Sequence, residues 1–313
     1  HAALRLYSAT FRNADNRLGF SPKSFSRMKM QSLWMIAASG LFACMGVCVK
    51  LGASLFSAAE LVFYRGVIAL VLLWGFVLVR RLPLATPHWR AHLWRGVTGS
   101  VSLVLYFHAI SVLPLATAVT LNYTSPLFLA LILVFWAGER VRGTLYIALA
   151  LGLAGVALLL RPSFEADQWL GGLAALASGA GAGLAYFHVR QLGRLGEPEW
   201  RTVFYFSLAS ALIGLPWLLA SRTVHAVSGQ GALLVLGVGG FGALAQLAMT
   251  RAYKRGSTLF SASLAYSTVI FASLFGVLLW DEVLPLSAWL GIGLIVASGM
   301  LASAQSRAPA GQD

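Results

Sequence analysis

Long apolar stretches recur along this chain, each close to the roughly 20 residues that a helix needs to cross the hydrocarbon core of a bilayer. Hydrophobic residues make up 58% of the sequence and charged residues only 11%, which leaves too little polar surface to cover a soluble core. The sequence therefore predicts an all-α, polytopic membrane protein with ten transmembrane helices. We place these spans at about 33–52, 59–79, 93–112, 116–137, 143–160, 169–190, 202–220, 231–251, 257–280 and 285–303.

The lysine and arginine residues indicate how the helices are oriented, because cytoplasmic loops carry an excess of both. With the N-terminus inside, the outer loops contain only two of the 23 basic residues, Arg161 and Arg222. In this assignment Arg95, at the start of the third span, is counted with the basic residues of the preceding cytoplasmic loop. The formal net charge of +13 then reflects membrane topology, and we expect no nucleic-acid partner. Both termini are predicted to be cytoplasmic.

Two stretches, 99–139 and 242–282, resemble each other at an offset of 143 residues. Five helices is an odd number, so the second copy would enter the membrane upside down. Inverted repeats of this kind are common in secondary transporters, where the substrate site lies near the midplane between the repeats. The matched residues include the pairs Gly99 and Gly242, Tyr123 and Tyr266, and Glu139 and Glu282.

The repeat divides the chain into four parts. A polar, basic tail at 1–30 precedes five-helix repeats at 31–160 and 161–303, and a cytoplasmic tail follows at 304–313. The first tail lacks apolar periodicity, and the sequence leaves open whether it is a non-native extension.

Small residues in the sixth span indicate close helix packing. Gly179, Gly181 and Gly183 are spaced differently from a dinucleotide-binding loop, and no strand precedes them. Small residues in a membrane span let two helix backbones approach closely. We therefore expect these glycines to face a neighbouring helix.

Short motifs in both halves stand out from the apolar background. They are Glu60–Arg65 (ELVFYR), Leu113–Ala116 (LPLA), Leu121–Pro126 (LNYTSP), Gly138–Arg140 (GER), Ala245–Tyr253 (AQLAMTRAY) and Glu282. Through these motifs the chain resembles the drug/metabolite transporter superfamily, in particular its EamA-type members. The resemblance covers nearly all of residues 31–303 and implies a bacterial inner-membrane carrier of ten helices. Members of the superfamily move amino acids, vitamins, nucleotide-like metabolites and drugs, so the motifs do not select a substrate.

Polar residues inside the spans are the candidates for a substrate site, because such residues are unfavourable in lipid and normally face protein or water. Arg65 lies about two turns into the second span, where it could contact an anionic group or pair with Glu60. Tyrosine rings could stack a planar ligand, and amide side chains could form hydrogen bonds to it. The candidate substrate-binding residues are Arg65, Tyr106, Asn122, Tyr123, Gln246 and Tyr266.

Other polar residues are candidates for gating or for structural support. Lys50 and Glu60 would form an outer electrostatic cluster, in which Glu60 pairs with Lys50 or with Arg65. His108 could titrate near neutral pH. Pro126 interrupts the fourth span, since proline removes a backbone hydrogen bond. The gating candidates are Lys50, Glu60, His108 and Arg251, and the structural candidates are Pro126, Glu139 and Glu282.

These features favour a secondary transporter that moves a small organic metabolite by alternating access within the lipid bilayer. No P-loop is present to support ATP-driven pumping. A membrane scaffold or a lipid-handling protein is the alternative, and an intramembrane enzyme is less favoured because no nucleophile–base pair converges. We expect no cofactor and no metal site. A homodimer is compatible with this plan.

Overall fold

The computed structural model describes residues 22–136, 138, 147, 150–152, 154, 155, 158, 166–221, 224–255, 258–265 and 267–305. The regular elements of these ranges are all α-helices. In chain order they are α1 (Pro22–Gly52), α2 (Ala58–Arg80), α3 (Trp89–Val112), α4 (Leu115–Asn122), α5 (Ser125–Phe135), α6 (Ala166–Arg194), α7 (Glu199–Ser221), α8 (Gly229–Arg255), α9 (Thr258–Ala265), α10 (Ser267–Trp280) and α11 (Leu286–Gln305). The predictions for Glu139, Tyr266 and most of the fifth span lie outside the described residues.

Six helical segments in the described ranges are long and apolar enough to cross a membrane. Two shorter apolar segments, Ile270–Trp280 and Leu286–Ser298, lie near the C-terminal end. The prediction of an all-helical, multi-pass membrane protein is therefore confirmed. The six segments are Leu33–Gly52, Ala58–Arg80, Thr117–Phe135, Gln168–Arg194, Glu199–Ala220 and Gly229–Lys254.

The distribution of polarity is that of a membrane protein. Large apolar side chains such as Leu72, Leu219 and Leu278 are exposed on the outside of the bundle, whereas the charged Arg65 and the amide of Gln246 are buried. In lipid, an apolar exterior needs no polar cover, and polar side chains are retained where they face protein or a cavity. The polar interior is therefore where a site should be sought.

Three helix pairs form the framework of the bundle. α1 packs along α8, α3 packs along α6, and α2 packs along α7. The last pair comes close at Gly66, where an added Cβ would lie 2.6 Å from the backbone nitrogen of Ala211. These pairings join the N-terminal half of the chain to the C-terminal half along most of their length.

The fourth predicted span is interrupted, as expected from its proline. α4 ends at Asn122 and α5 begins at Ser125, with Pro126 in the first turn of α5. A proline is tolerated in a first turn, where its missing N–H would have no intrahelical partner. The interruption places the Asn122 and Tyr123 side chains in the interior of the bundle, where both are buried.

Glycines on α6 allow this interruption to be packed tightly. A Cβ added to Gly179 would lie 3.0 Å from the carbonyl oxygen of Asn122, and one added to Gly183 would lie 2.9 Å from that of Ser125. Gly181 faces Ser102 on α3. The predicted role of these glycines in close helix approach is confirmed.

We expect Gly183→Ala to lower the thermal stability of the purified protein by about 1–3 kcal/mol, because the new methyl group overpacks a fixed backbone. Gly40→Ala is the matched control, since a Cβ at Gly40 meets nothing within 4 Å. The control should be neutral or slightly stabilising through helix propensity. Thermal unfolding in detergent compares the two, and equal stability of both variants would contradict this packing.

Candidate functional site

A cavity lies inside the bundle, between α1, α3, α4, α6, α7 and α8. It contains about 520 Å³ of empty space, a figure that includes the solvent at its opening. Its walls combine aromatic rings, small residues and a few polar groups. The lining residues are Phe42, Met45, Arg95, Gly99, Ser102, Leu103, Tyr106, Asn122, Tyr123, Ala182, Ala185, Tyr186, Phe206 and Gln246.

The cavity brings together four of the residues that we predicted for substrate binding. Tyr106 comes from α3, Asn122 and Tyr123 from the interruption after α4, and Gln246 from α8. Arg65 is buried close by but does not line the cavity. Tyr266 lies outside the described residues.

Counting Arg95 with the cytoplasmic loop was wrong. α3 begins at Trp89, so Arg95 lies in the second turn of the helix. Arg95 is buried and lines the cavity, and its Nη2 donates a hydrogen bond of 3.0 Å to Gln246 Oε1. When basic residues are counted to assign membrane orientation, an arginine close to a polar segment is taken for a loop residue. Its spacing of four from Gly99 would have placed it on the helix face that carries the site.

Two guanidinium groups flank one aromatic ring beside the cavity. Arg95 Cζ lies 4.0 Å from the centroid of the Phe206 ring, and Arg65 Cζ lies 4.9 Å from it. Such contacts are attractive through the ring quadrupole but do not neutralise the charge. The two cations are therefore held close to one another, at most the sum of these two distances apart.

Two glycines matched by the internal repeat leave the space that these guanidinium groups occupy. A Cβ on Gly99 would lie 2.0 Å from Arg95 Nη1, and a Cβ on Gly242 would lie 3.0 Å from Arg65 Nε. A Cβ at Gly99 would displace Arg95, whereas one at Gly242 would require only a small shift of Arg65. Each half of the chain thus contributes a glycine whose missing side chain leaves room for one buried guanidinium group.

Neither guanidinium has an acidic partner among the described residues. The buried Nε and Nη1 atoms of both Arg65 and Arg95 lack a hydrogen-bond partner there. The ion pairs within 4.0 Å involve other groups, centred on Glu60, Glu197 and Glu199. An uncompensated buried charge is strongly unfavourable. The cavity is therefore built to attract negative charge.

The predicted outer cluster is organised differently from the expectation. Glu60 pairs neither with Lys50 nor with Arg65: its carboxylate accepts from the backbone N–H groups of Ser57 (2.6 Å) and His225 (2.9 Å), and from His225 Nδ1 at 2.9 Å. The reason is local, since Ser57 and Glu60 form a capping box at the start of α2. The carboxylate is saturated by this cap and by the loop before α8.

Lys50 and Glu282 instead hold the junction between α3 and α4. Lys50 Nζ donates to the carbonyl oxygen of Leu113 at 2.7 Å, and Glu282 Oε1 accepts from the backbone N–H of Leu115 at 3.0 Å. Glu282 thereby binds a free N–H at the start of a helix, which carries a partial positive charge. Together with Glu60 and His225, these contacts lie at the end of the bundle that we term the first end.

The remaining gating candidates lie away from the cavity. His108 is exposed on α3. Arg251 packs over the Trp34 ring, with its Cζ 4.7 Å from the centroid. Neither residue is among those that line the cavity.

A polar network closes the opposite end, which we term the second end. Glu197, in the connection between α6 and α7, accepts hydrogen bonds from the Thr86 hydroxyl and from Arg201 Nη1. His92 Nε2 lies 3.4 Å from the same carboxylate. Lys254 Nζ donates to the Glu197 carbonyl at 2.9 Å. Burial favours the protonated acid, but the Thr86 and Arg201 hydrogen bonds and nearby positive charge outweigh it, so the pKa of Glu197 is lowered.

This lowered pKa predicts a pH-dependent contribution to stability. A group with a depressed folded-state pKa stabilises the fold above its unfolded pKa of about 4.3, and this stabilisation is lost as the pH falls through the folded value. Glu197→Gln should therefore cost about 1–3 kcal/mol at pH 7 and progressively less in acid. Thermal unfolding between neutral and acidic pH measures this. Glu199→Gln, whose carboxylate is 4.0 Å from Lys254 Nζ, is the control, and a pH-independent Glu197 effect would contradict the assignment.

Comparison with known proteins agrees with this architecture. The chain is 29% identical over 280 residues to the pseudopaline exporter CntI of Pseudomonas aeruginosa, covering 90% of this chain and 98% of that protein. It is 28% identical over 283 residues to a riboflavin transporter of Vibrio cholerae, covering 85% and 90% respectively. A solved crystal structure shares the fold with a TM-score of 0.68 at 22% identity, over 88% of this chain and 97% of that one.

The relatives are named as transporters, which points to a protein that is not an enzyme. The model of the EamA-like transporter family matches residues 29–161 and again residues 169–304. Each half of the chain therefore matches the same family model. The protein belongs to the EamA-like transporter family.

Proposed function

We propose that this protein is a secondary transporter that carries a small organic metabolite across the inner membrane by alternating access. The observation that carries the proposal is a cavity between both halves of the chain, lined by a buried cation without an acidic partner in the described residues. A purely structural bundle gains nothing from such a charge, whereas a carrier needs polar groups that a substrate can satisfy. Amino acids, vitamins and nucleotide-like compounds are the substrate classes that we propose.

The packing supports an inverted repeat of five helices, 31–160 and 161–303. If α1 and α6 occupy equivalent places, then the contact of α1 with α8 corresponds to that of α6 with α3, and both are extensive. Likewise α3 packs against α7 as α8 packs against α2. Two halves related in this way can rock against each other about a site that both of them line.

The two ends of the bundle supply the contacts that such rocking would break in turn. At the first end, Lys50 and Glu282 hold the α3–α4 junction, and Glu60 holds the loop at His225. At the second end, Glu197 connects the α2–α3 loop with α7. Each set joins segments from the two halves of the chain. We assign the first end to the outer face and the second end to the cytoplasm.

This orientation predicts how introduced cysteines react in intact cells. In a background without Cys44 and Cys48, Val283→Cys should be labelled by a membrane-impermeant maleimide, because Val283 is exposed at the first end. Leu195→Cys, exposed at the second end, should be labelled only after the cells are opened. The reverse pattern would contradict cytoplasmic termini.

Transport itself is tested in two steps. Purified protein in detergent is screened by thermal shift against a metabolite library, since a ligand that binds only the folded state raises its stability. Compounds that stabilise the protein are then followed as radiolabelled solutes into proteoliposomes. Protein-dependent uptake supports a carrier. Binding without uptake, or no ligand at all, would favour a scaffold or a lipid-handling protein.

A further inference from the structure

The polar groups of the cavity divide into a donor side and an acceptor side. On the donor side, Gln246 Oε1 is occupied by Arg95 Nη2, so the Gln246 amide nitrogen has its N–H groups available. The buried Nε and Nη1 groups of Arg95 have no acceptor among the described residues. One guanidinium and one amide thus line the cavity, and the two unpartnered N–H groups of Arg95 are buried beside it.

The acceptor side is fixed by a chain of hydrogen bonds between Asn122 and α6. The Ser178 hydroxyl donates to the carbonyl oxygen of Ala175 at 2.7 Å, so it must accept at its second contact, which is Asn122 Nδ2 at 2.7 Å. This orients the Asn122 amide with Oδ1 directed away from Ser178. Because Asn122 lines the cavity, its Oδ1 is an acceptor for a donor group of a ligand.

Aromatic rings form much of the wall around these polar groups. Tyr106, Tyr123, Tyr186 and Phe206 all line the cavity. The Tyr186 ring is stacked on that of Tyr253, with centroids 5.4 Å apart, which holds it rigidly. Flat apolar walls of this kind favour a planar ligand, because stacked or edge-on ring contacts add to simple area burial.

The charge of the lining favours an anionic ligand over a cationic one. Among the described residues, the lining contains a guanidinium and no aspartate or glutamate. Arg65 adds a second positive charge, with its Cζ 4.9 Å from the centroid of the Phe206 ring. A ligand carboxylate would satisfy the free N–H groups of Arg95 in a charge-assisted pair, and it would offset the field of Arg65 as well.

We infer that the cavity binds a planar metabolite that carries a carboxylate, held at Arg95 and Gln246, with an N–H or O–H group of the same molecule at Asn122. This inference rests on the proposed function, because it names the substrate class of that site. Arg95 is the contact residue, and Arg65 is a positioning residue that acts through Phe206 and through its charge. A carboxylate matches a single planar guanidinium through two parallel hydrogen bonds, which makes the site selective for acids.

Matched pairs of acids and amides test this inference without knowledge of the natural substrate. The full-length protein is titrated in detergent with nicotinate against nicotinamide and indole-3-acetate against indole-3-acetamide, and with phenyl phosphate to separate phosphate from carboxylate chemistry. We expect at least one acid to raise the unfolding temperature at concentrations at least tenfold below those required for its amide. Stabilisation by phenyl phosphate at lower concentrations than by any acid would assign the site to phosphate and overturn the carboxylate assignment.

Variants assign that preference to Arg95. Arg95→Gln should abolish the preference for an acid over its amide, and Arg95→Lys should retain a weaker preference. Arg65→Gln should reduce this preference less than Arg95→Gln does. Arg90→Gln removes the same charge from an exposed position on the same helix and should bind like the parent. Equal stabilisation by acids and amides, an unchanged preference in Arg95→Gln, or no response to any acid at millimolar concentration would overturn the inference.

The failure of this inference can be told apart from failure of the proposed function. An acid that binds through Arg95 but never crosses a proteoliposome membrane would leave the site intact and reject the transporter. A neutral metabolite that is carried equally by the parent and by Arg95→Gln would reject the carboxylate site and leave the transporter standing.

Discussion

Arg95→Gln is expected to abolish substrate uptake while leaving the unliganded protein at least as stable as the parent. Arg95 is buried without an acidic partner in the described part of the chain, so its charge opposes folding. Glutamine is neutral, so it removes the desolvation penalty of a buried ion, which is on the order of several kcal/mol. The lost contact with Phe206, worth about 1 kcal/mol, opposes part of this gain. A residue that is kept although it lowers the stability of the fold is typical of a functional site.

Thermal unfolding without ligand measures the predicted stability, and initial uptake rates measure the predicted loss of transport. Arg90→Gln is the control, because it removes an exposed arginine at the start of the same helix. It should match the parent in both measurements. A marked loss of stability in Arg95→Gln would show that the guanidinium is a structural element of the bundle, and the argument from its missing partner would then fail.

Gly99→Ala is expected to lower uptake at least tenfold with little change in stability. The added Cβ would meet Arg95 Nη1 at 2.0 Å and Phe206 Cε2 at 2.8 Å. Arg95 Nη1 is the far end of a flexible side chain and can move aside, and the buried Phe206 ring has to shift slightly, so the helix backbone is kept. Displacing the guanidinium by about 1 Å is enough to reduce function strongly, since small errors of position at a site can cost about a hundredfold.

Two further glycine variants make this prediction specific. Gly75→Ala on α2 should be neutral, because a Cβ there meets nothing within 4 Å. Gly242→Ala should have an intermediate effect, because its Cβ would lie 3.0 Å from Arg65 Nε, and Arg65 stands behind the cavity wall. Wild-type uptake by Gly99→Ala would show that the position of Arg95 is not important for the substrate.

Much of the site could be predicted from the sequence, because a polar side chain in an apolar membrane helix is unfavourable in lipid and must face the protein interior. Tyr106, Asn122 and Gln246 each lie in an apolar stretch, and the requirement to avoid lipid directs them to the interior. The interruption near Pro126 followed from the missing N–H of proline. These inferences depend on local chemistry and on the solvent, and therefore need no knowledge of the packing.

The errors arose where packing between distant segments decides the outcome. Arg95 and Phe206 meet only because α3 and α7 are neighbours, and no spacing along the chain relates them. Glu60 was expected to pair with a cation, but its own capping box and the loop at His225 occupy it. A charge count along the sequence treats every arginine near a helix end as a surface residue, although some are buried within the helix.

Counterflow in proteoliposomes tests the central claim most directly. Vesicles that contain the purified protein are loaded with an excess of the carboxylate that stabilises it best, and a trace of the labelled compound is added outside. The account predicts a transient, protein-dependent accumulation of label that Arg90→Gln retains and Arg95→Gln loses. Accumulation no greater than in protein-free vesicles, for a compound that binds the protein, would contradict it.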